Sequence, residues 1–309
     1  MAVKRCLITG ASGFVGANLV RRCLRDGHET HAFLRPEHQA WRVADLAPHL
    51  QTHAVDLQNG DKVREIVRRI RPDWVFHLAA YGAYSHQTGL ARMLEVNVAG
   101  TATLVDACVE AGAEAFVYTG SSSEYGYKDH PPREDEMLEP NSHYAISKAA
   151  ATHYCRYAAH ATGFNTVIVR LYSIYGPYED PGRLIPVLIA HGLRGTLPPL
   201  VSPATARDFV HVDDAVDGLL VLAQKSARPG AVYNLCTGVQ TTMATVVETA
   251  RRLMGIAVQP VWSSMPRRSW DTDIWVGSPA AMEQEIGWRA QTDFAAGLER
   301  TIDWYAARS

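Results

Sequence analysis

The sequence predicts an α/β fold: a doubly wound parallel sheet with helices on both faces, and a smaller, interleaved C-terminal lobe for substrate. Three observations predict it. The turn Gly10-Ala11-Ser12-Gly13-Phe14-Val15-Gly16 joins a short apolar strand to a helical pattern at the start of the chain. Short apolar runs then alternate with helical-period segments through the first half, as βαβ units do. The 309 residues, 47% hydrophobic and 20% charged, suffice for a sizeable core.

Cys6-Leu7-Ile8-Thr9 is the first strand, and the helix after the glycine turn, marked by Leu19, Val20, Cys23 and Leu24, stops at Gly27. Glycines let backbone N–H groups approach a pyrophosphate, and the helix N-terminus adds partial positive charge. Glu29 to Leu34 is the second strand. Many dinucleotide units end it with an acid for the ribose hydroxyls; here Arg35-Pro36 follows. A guanidinium there suits a 2′-phosphate, so NADP(H) is expected over NAD(H), which stays possible. Thr52 to Val55 is the third strand. Asp56 follows it, placed to accept from an adenine amino group or to cap the helix from Asp61. Trp74 to Leu78 is the fourth strand, and Ala79 and Ala80 let the backbone lie against a dinucleotide. Tyr81 to His86 forms a polar aromatic loop over the presumed site. Met93 to Ala111 is helical by period, carries the polar Asn97, and ends at Gly112. Ala115 to Thr119 is the fifth strand. Gly120-Ser121-Ser122-Ser123-Glu124-Tyr125-Gly126 follows at its carboxyl end, where open α/β sheets bind ligands.

The chemistry is expected from Tyr144-Ala145-Ile146-Ser147-Lys148. Asn141 or Ser142 can cap an alanine-rich helix running to about Ala161. Tyr144 and Lys148 are then four apart on one face. An ammonium beside a phenol favours the phenolate, so the pair is expected to bring the phenol towards neutrality as a proton donor or acceptor. The Ser121 hydroxyl can hydrogen-bond a carbonyl or alkoxide beside Tyr144.

Several classes are disfavoured. A formal net charge of −2 points to no polyanionic partner, so no nucleic acid is expected. No apolar run reaches membrane-span length, and the N-terminus lacks signal-peptide form. Five scattered cysteines without CxxC spacing suit reduced thiols, placing the protein in the cytoplasm. Thirteen histidines include no metal-ligand pattern, so no metal is expected.

With these residues in hand, the chain resembles the extended short-chain dehydrogenase/reductases, in their nucleotide-sugar epimerase/dehydratase group. The motifs are Thr9 to Gly16, Asp56-Leu57, His77-Leu78-Ala79-Ala80, Asn97, Ser121, Tyr144-xxx-Lys148, Arg170 to Pro177, Arg207 to Asp214 and Gly287-Trp288. The resemblance implies a Rossmann domain over residues 1–176, with returns near 208–236 and 267–276, and a nucleotide-sugar lobe from the remainder of 177–309. It implies Tyr144 as acid/base, Lys148 as its electrostatic partner and ribose ligand, and Ser121 as hydrogen-bond donor to the substrate oxygen. Gly10, Ser12, Gly13, Phe14, Val15 and Gly16 would hold the pyrophosphate. Arg35, Asp56 and Leu57 would meet the adenosine half. Leu78, Ala79, Ala80 and Asn97, with Tyr172 and Ile174, would line the rest of the cofactor. Tyr81, Ser122, Ser123, Ser173 and Arg183 would meet the sugar diphosphate. Arg207 and Arg268 would grip its phosphates, with Asp271 on the nearby ribose. Ser173 stands where many members carry Asn. A homodimer through a four-helix interface is implied by the same analogy.

Three reactions stand open within that group. A 4,6-dehydratase usually carries an Asp-Glu pair directly after the Ser/Thr; Ser122-Ser123 here disfavours it. A 4-epimerase retains NAD and usually has the second-strand acid that Arg35 replaces. A ketoreductase acting on a 4-keto-6-deoxy NDP-hexose fits Arg35, and the loop after Ala79 is similar to that of CDP-abequose synthase-like 4-ketoreductases. The expectation is the reductase, with the epimerase as the alternative. A non-catalytic dinucleotide sensor could dispense with Ser121, Tyr144 or Lys148, and all three are present.

Overall fold

The computed structural model describes residues 2–37, 40–84, 86–225, 228–265 and 273–308. Its strands are β1 (Arg5–Thr9), β2 (Glu29–Leu34), β3 (Gln51–Ala54), β4 (Trp74–His77), β5 (Ala115–Ser121), β6 (Thr166–Leu171), β7 (Ser173–Tyr175), β8 (Ala206–Arg207), β9 (Phe209–His211), β10 (Val232–Leu235) and β11 (Thr241–Thr242). Its α-helices are α1 (Phe14–Arg25), α2 (Gly60–Ile70), α3 (Leu90–Leu94), α4 (Gly100–Ala111), α5 (His143–Thr162), α6 (Leu184–Gly192), α7 (Val212–Gln224), α8 (Met243–Met254) and α9 (Phe294–Ala306).

Seven strands form one parallel, Rossmann-type sheet in the order β10-β6-β5-β4-β1-β2-β3. The chain moves outward from β1 through β2 to β3, then returns to place β4 on the other side of β1. That reversal opens a crevice at the carboxyl ends of β1 and β4, where ligands bind in open α/β sheets. The central strands β1, β4, β5 and β6 are buried on both faces, which is why they read as apolar runs, whereas the edge strand β3 is mostly exposed. Period two divides them. Cys6, Ile8, Phe76, Val117 and Val169 face a core that α1 and α7 complete with Leu19, Val20, Leu219 and Leu220. Leu7, Val75, Phe116 and Ile168 face the opposite core with Val63 and Ile66 of α2, Leu104 of α4 and Cys155 of α5. A third core, with Ile185, Leu188, Phe209, Val246 and Leu298, holds α6, α8 and α9 together as the smaller lobe.

Local chemistry sets the helix starts. Asn59, Ser142, Thr242 and Asp293 each accept a backbone N–H at their helix's N-terminus. The return expected near 208 opens with a strand of three residues, Phe209–His211. It pairs with β7 rather than with the main sheet. Strand β5 runs two residues past its expected end, because Gly120 and Ser121 continue the ladder opposite Arg170 and Leu171. The helix expected from Met93 begins at Leu90 and contains a π-helical turn, Glu95–Ala99, around Asn97. Among the described residues, no helix is long and apolar enough to cross a membrane, and no group of three or more His, Cys, Asp or Glu is arranged to hold a metal ion. All five cysteines are free and buried.

Asp208, fully buried between β8 and β9, ties the crossing segment to the end of β10. Its carboxylate accepts from Thr237 N and Oγ1 (2.8 and 2.6 Å), Gly238 N (3.0 Å) and Gly277 N (3.2 Å). Asp208→Ala leaves these part-buried and buried donors without their carboxylate partner. Such losses are worth about 1–3 kcal/mol per group, and we expect about 3 kcal/mol or more in urea denaturation. A loss under about 1 kcal/mol would show that the carboxylate is not the tie.

Candidate active site

The glycine turn sits directly over the crevice. A Cβ at Gly10 would lie 2.7 Å from Ala79 N, and one at Gly16 would lie 2.2 Å from Gly10 O. The turn therefore folds back on itself against Leu78-Ala79 with no room for side chains. Helix α1 starts at Phe14 with no capping side chain and no acid in its first turn. Its N-terminal N–H groups and its dipole are left for an anion. Glycines that only backbone could replace, next to an uncapped helix start, fit the pyrophosphate of a dinucleotide. Ser12 is buried in this turn, and Arg42 Nη1 reaches its carbonyl at 3.4 Å.

A chain of single hydrogen bonds fixes the floor. Ala79 N donates to Thr9 Oγ1 (3.2 Å), and Thr9 Oγ1 meets His77 Nδ1 (2.6 Å). His77 Nε2 meets Thr101 Oγ1 (2.8 Å), which donates to Asn97 O (2.6 Å). Every group is satisfied once if His77 is neutral with its proton on Nε2. Burial holds its pKa down at about 3, in agreement. Asn97 is buried rather than solvent-exposed. Its amide clamps Tyr81 through N and O (2.7 Å each) and donates to Ser147 Oγ (2.9 Å), which donates to Tyr144 O (2.8 Å). The π-turn thus joins the loop after β4 to α5.

Helix α5 presents Tyr144, Lys148 and Thr152 on one face. Lys148 is buried and donates from Nζ to Thr119 O at 2.5 Å, with the Tyr118 ring 4.3 Å away. Tyr144 is half-buried, with Ser121 close enough to act on its phenol, and Ser121 Oγ meets Ser123 Oγ at 2.8 Å. The sequence therefore brings Ser121, Tyr144 and Lys148 to one place. The electrostatics differ from the expectation. Burial pushes the Tyr144 phenol up to about 12; the Glu124 charge adds to the rise, and Ser121 and Arg183 oppose it. Burial likewise pulls Lys148 down to about 8. The ammonium spends itself on a strand carbonyl rather than on the phenol, and desolvation outweighs proximity.

The other expected residues fall on several surfaces. The Asp56 carboxylate accepts from Gln58 N (3.0 Å), so it serves its own turn; Leu57 is buried against Gly100. Tyr172 is buried against Gly277 and Cys236, so it has only backbone to offer the crevice. Ile174 is half-buried in β7, and Ser173 donates its N–H to Asp208 O. Ser122 is buried and Ser123 half-buried. Tyr81 lies under the Arg92 guanidinium (4.9 Å). Arg183 Nη2 donates to Ala83 O (2.8 Å) and stands over Tyr84, tying the aromatic loop to the start of α6. Arg207 donates to Ala206 O and faces Trp275. Arg268 and Asp271 lie outside the described residues.

Sequence reasoning missed two groups. Arg42, buried, bridges Ser12 O and Tyr178 O (2.7 Å), joining the glycine turn to the segment after β7. Its polar position beyond the second strand gave no sign of this. Glu124 and Arg170 form a fully buried ion pair (Nε–Oε2 3.0 Å). Glu124 lies in the serine turn and Arg170 opens the motif after β6, and an acid opposite a strand arginine was the available signal.

A family model for the NAD dependent epimerase/dehydratase family matches residues 6–236. The chain is 31% identical over 315 residues to a dTDP-glucose 4,6-dehydratase of Streptomyces griseus, covering 97% of this chain and 93% of that one. Among solved structures, MoeE5 in complex with UDP-glucuronic acid and NAD is 29% identical with a TM-score of 0.85, covering 99% and 100% of the two chains. The UDP-glucose 4-epimerase of Thermus thermophilus, in complex with NAD, is 28% identical with a TM-score of 0.86 and the same coverage. These findings correct the NADP(H) preference drawn from Arg35: the solved relatives described with a dinucleotide hold NAD. Physically, Arg35 is an exposed residue beyond the end of β2, and the next arginine, Arg42, is committed to two carbonyls. One solvated guanidinium does not make a 2′-phosphate site. With the glycine turn, the Tyr144–Ser121 contact and a match spanning most of its length, the chain belongs to the NAD dependent epimerase/dehydratase family.

Proposed function

We propose that this chain is a nucleoside-diphosphate-sugar 4-epimerase working with NAD(H). The observation that carries this reading is the serine turn. Ser122 and Ser123 follow Ser121, and the turn's one carboxylate, Glu124, is fully buried on Arg170. No acid of the turn is left to help expel water, as a dehydration requires. The relatives described with both NAD and a UDP-sugar support the choice of cofactor and substrate class.

When bound, NAD supplies a hydride acceptor and donor whose positive ring favours a nearby phenolate. Tyr144 takes the proton of the sugar's 4-hydroxyl and later returns it to the same oxygen, once the ring has turned its other face and C4 has inverted. Ser121 donates to that same oxygen and steadies its developing charge. Lys148 adds a positive charge at the base of α5. Arg183 and Arg207, with Tyr81, Ser122, Ser123 and Ser173, are the groups we assign to the sugar diphosphate; a guanidinium suits it because its planar fork binds two oxygens. We assign residues 1–176 mainly to the dinucleotide and the remainder mainly to the sugar. Leu90, Leu94, Ile146 and Tyr157, exposed on α3 and α5, support a homodimer through these helices.

A second reading has its own observation. A phenol held at about 12 is a proton donor at neutral pH, which suits reduction of a 4-keto-6-deoxy NDP-hexose. One experiment separates them: incubate the isolated protein with UDP-glucose or dTDP-glucose, add no nicotinamide, and follow C4 configuration by NMR. An epimerase interconverts the C4 epimers without net NADH production. A reductase leaves these sugars untouched and consumes NADH only when given a keto-sugar.

Two further outcomes are expected. Tyr144→Phe lowers kcat by about 10²–10⁴-fold, the range of a lost general acid/base, while sugar-nucleotide affinity by calorimetry stays within a few-fold. Retained turnover would remove the phenol from the chemistry. Lys148→Met is inactive yet more stable than the parent at pH 7, by about 2 kcal/mol, because a buried charge is replaced by an apolar chain. The sign follows from the shift. The folded-state value of about 8 lies below the ordinary 10.5, so the burial penalty is complete below pH 8 and fades as the pH rises to 10.5. The advantage of the variant should shrink over that window in parallel denaturation curves; a constant difference would contradict it.

A further inference from the structure

Behind the serine turn lies a charged group that the reaction above does not use. Ser122–Tyr125 is a short 3-10 turn, in which residues three apart lie one above the other. Glu124 thus comes under Ser121 and accepts its N–H through Oε1 at 2.8 Å. An ordinary capping box stops there, at an exposed helix end. Here the carboxylate is fully buried, and its second oxygen accepts from Thr152 Oγ1 (2.9 Å) and Arg170 Nε (3.0 Å). Thr152 is four residues beyond Lys148 and eight beyond Tyr144, on the same face of α5. Arg170 pairs in register with Gly120 across β5 and β6. A Cβ at Gly120 would lie 2.6 Å from Glu124 Oε1, so the glycine makes the room that the carboxylate occupies. Arg170 Nη1 continues to Tyr125 OH (2.7 Å), which donates to Asn234 Oδ1 on β10 (2.8 Å).

We propose that Glu124 is a positioning residue: anchored by Arg170 and Thr152, it holds the Ser121 backbone against α5 so that the Ser121 and Tyr144 hydroxyls meet. The inference rests on the reading of Ser121 and Tyr144 given above. A buried ion pair is an expensive way to cap a turn, since apolar side chains of like volume are often as stable or more so. Its distinctive output is geometric, a fixed distance between the strand that delivers the serine and the helix that delivers the tyrosine. The carboxylate also reaches both active groups electrostatically, holding Tyr144 and Lys148 towards their protonated forms.

The test is a double-mutant cycle on turnover of UDP-glucose or dTDP-glucose. Glu124→Asp keeps the charge for Arg170 and shortens the reach to Ser121 by one methylene. Misplacing a reacting group by about 1 Å can cost about 10²-fold, so we expect kcat to fall 10- to 100-fold with KM within about twofold. In a Ser121→Ala background the same change should cost nothing further. Losses that multiply, or an Asp variant with parental kcat, overturn the proposal. If Glu124→Asp does not fold, Glu124→Val combined with Arg170→Met removes both charges together and enters the same cycle, where the same two results support or overturn the proposal. Parental kcat in Ser121→Ala alone would instead refute the assigned role of the serine, a result distinct from failure of the cycle.

Discussion

The cleft is organised by where a buried ammonium finds an oxygen. Lys148 is withdrawn from water on α5, and a charge so placed must be hydrogen-bonded. Its partner is the Thr119 carbonyl, near the end of β5. That bond docks the helix at one level along the strand. Ser121 emerges two residues further along the strand, and Tyr144 one helical turn back from the lysine. The contact between the two hydroxyls follows from that docking. The same burial that makes the bond obligatory also weakens the charge, drawing Lys148 down to about 8.

Around the docked helix, polar groups are spent on orientation. Asn97 sits in a π-turn, where one extra residue per turn re-aims a side chain, and π-turns are frequent at functional sites. Its amide bonds outward to Tyr81 and inward to Ser147, so the loop over the site and α5 share one anchor. The neutral His77 relays the arrangement to Thr9 and Ala79 under the glycine turn. Each of these side chains is satisfied by neighbours, which suits scaffold. The first turn of α1, by contrast, has no capping side chain, and an anion belongs there.

Much of this was legible in the sequence, and the part that was not has a physical pattern. Apolar periodicity and punctuating glycines are local, so Glu29–Leu34 was placed correctly to the residue and α5 to within one. Helix spacing put Tyr144 beside Lys148, and strand order put Ser121 near both. Solvation is not local. Nothing in Tyr-xxx-Lys tells that burial dominates, and so the phenol rises where spacing alone said it should fall. Nor does a pattern tell what a charged side chain faces. Arg35 read as a phosphate ligand and is exposed beyond its strand. Arg42, unremarked in sequence, is the one tied to the glycine turn. Asp56 reads in sequence as an adenine acceptor or a helix cap; the cap is Asn59, and Asp56 accepts from Gln58 N in the turn before it.

The position of a carboxylate within the serine turn carries the largest chemical consequence. Ser123 Oγ meets Ser121 Oγ, so position 123 addresses the same space as the Ser121 hydroxyl. Position 124, one residue on, folds beneath the Ser121 amide and into the core. An acid at 123 would stand in the cleft with a proton to give; an acid at 124 can only brace the turn. Composition is indifferent to that one-residue difference, since both turns contain a glutamate after serines. The turn's three-residue repeat is not. On the reading proposed above, it turns the carboxylate from the cleft to the back of Ser121, and the cleft is left with a proton to move at a sugar oxygen and a hydride at the carbon that bears it.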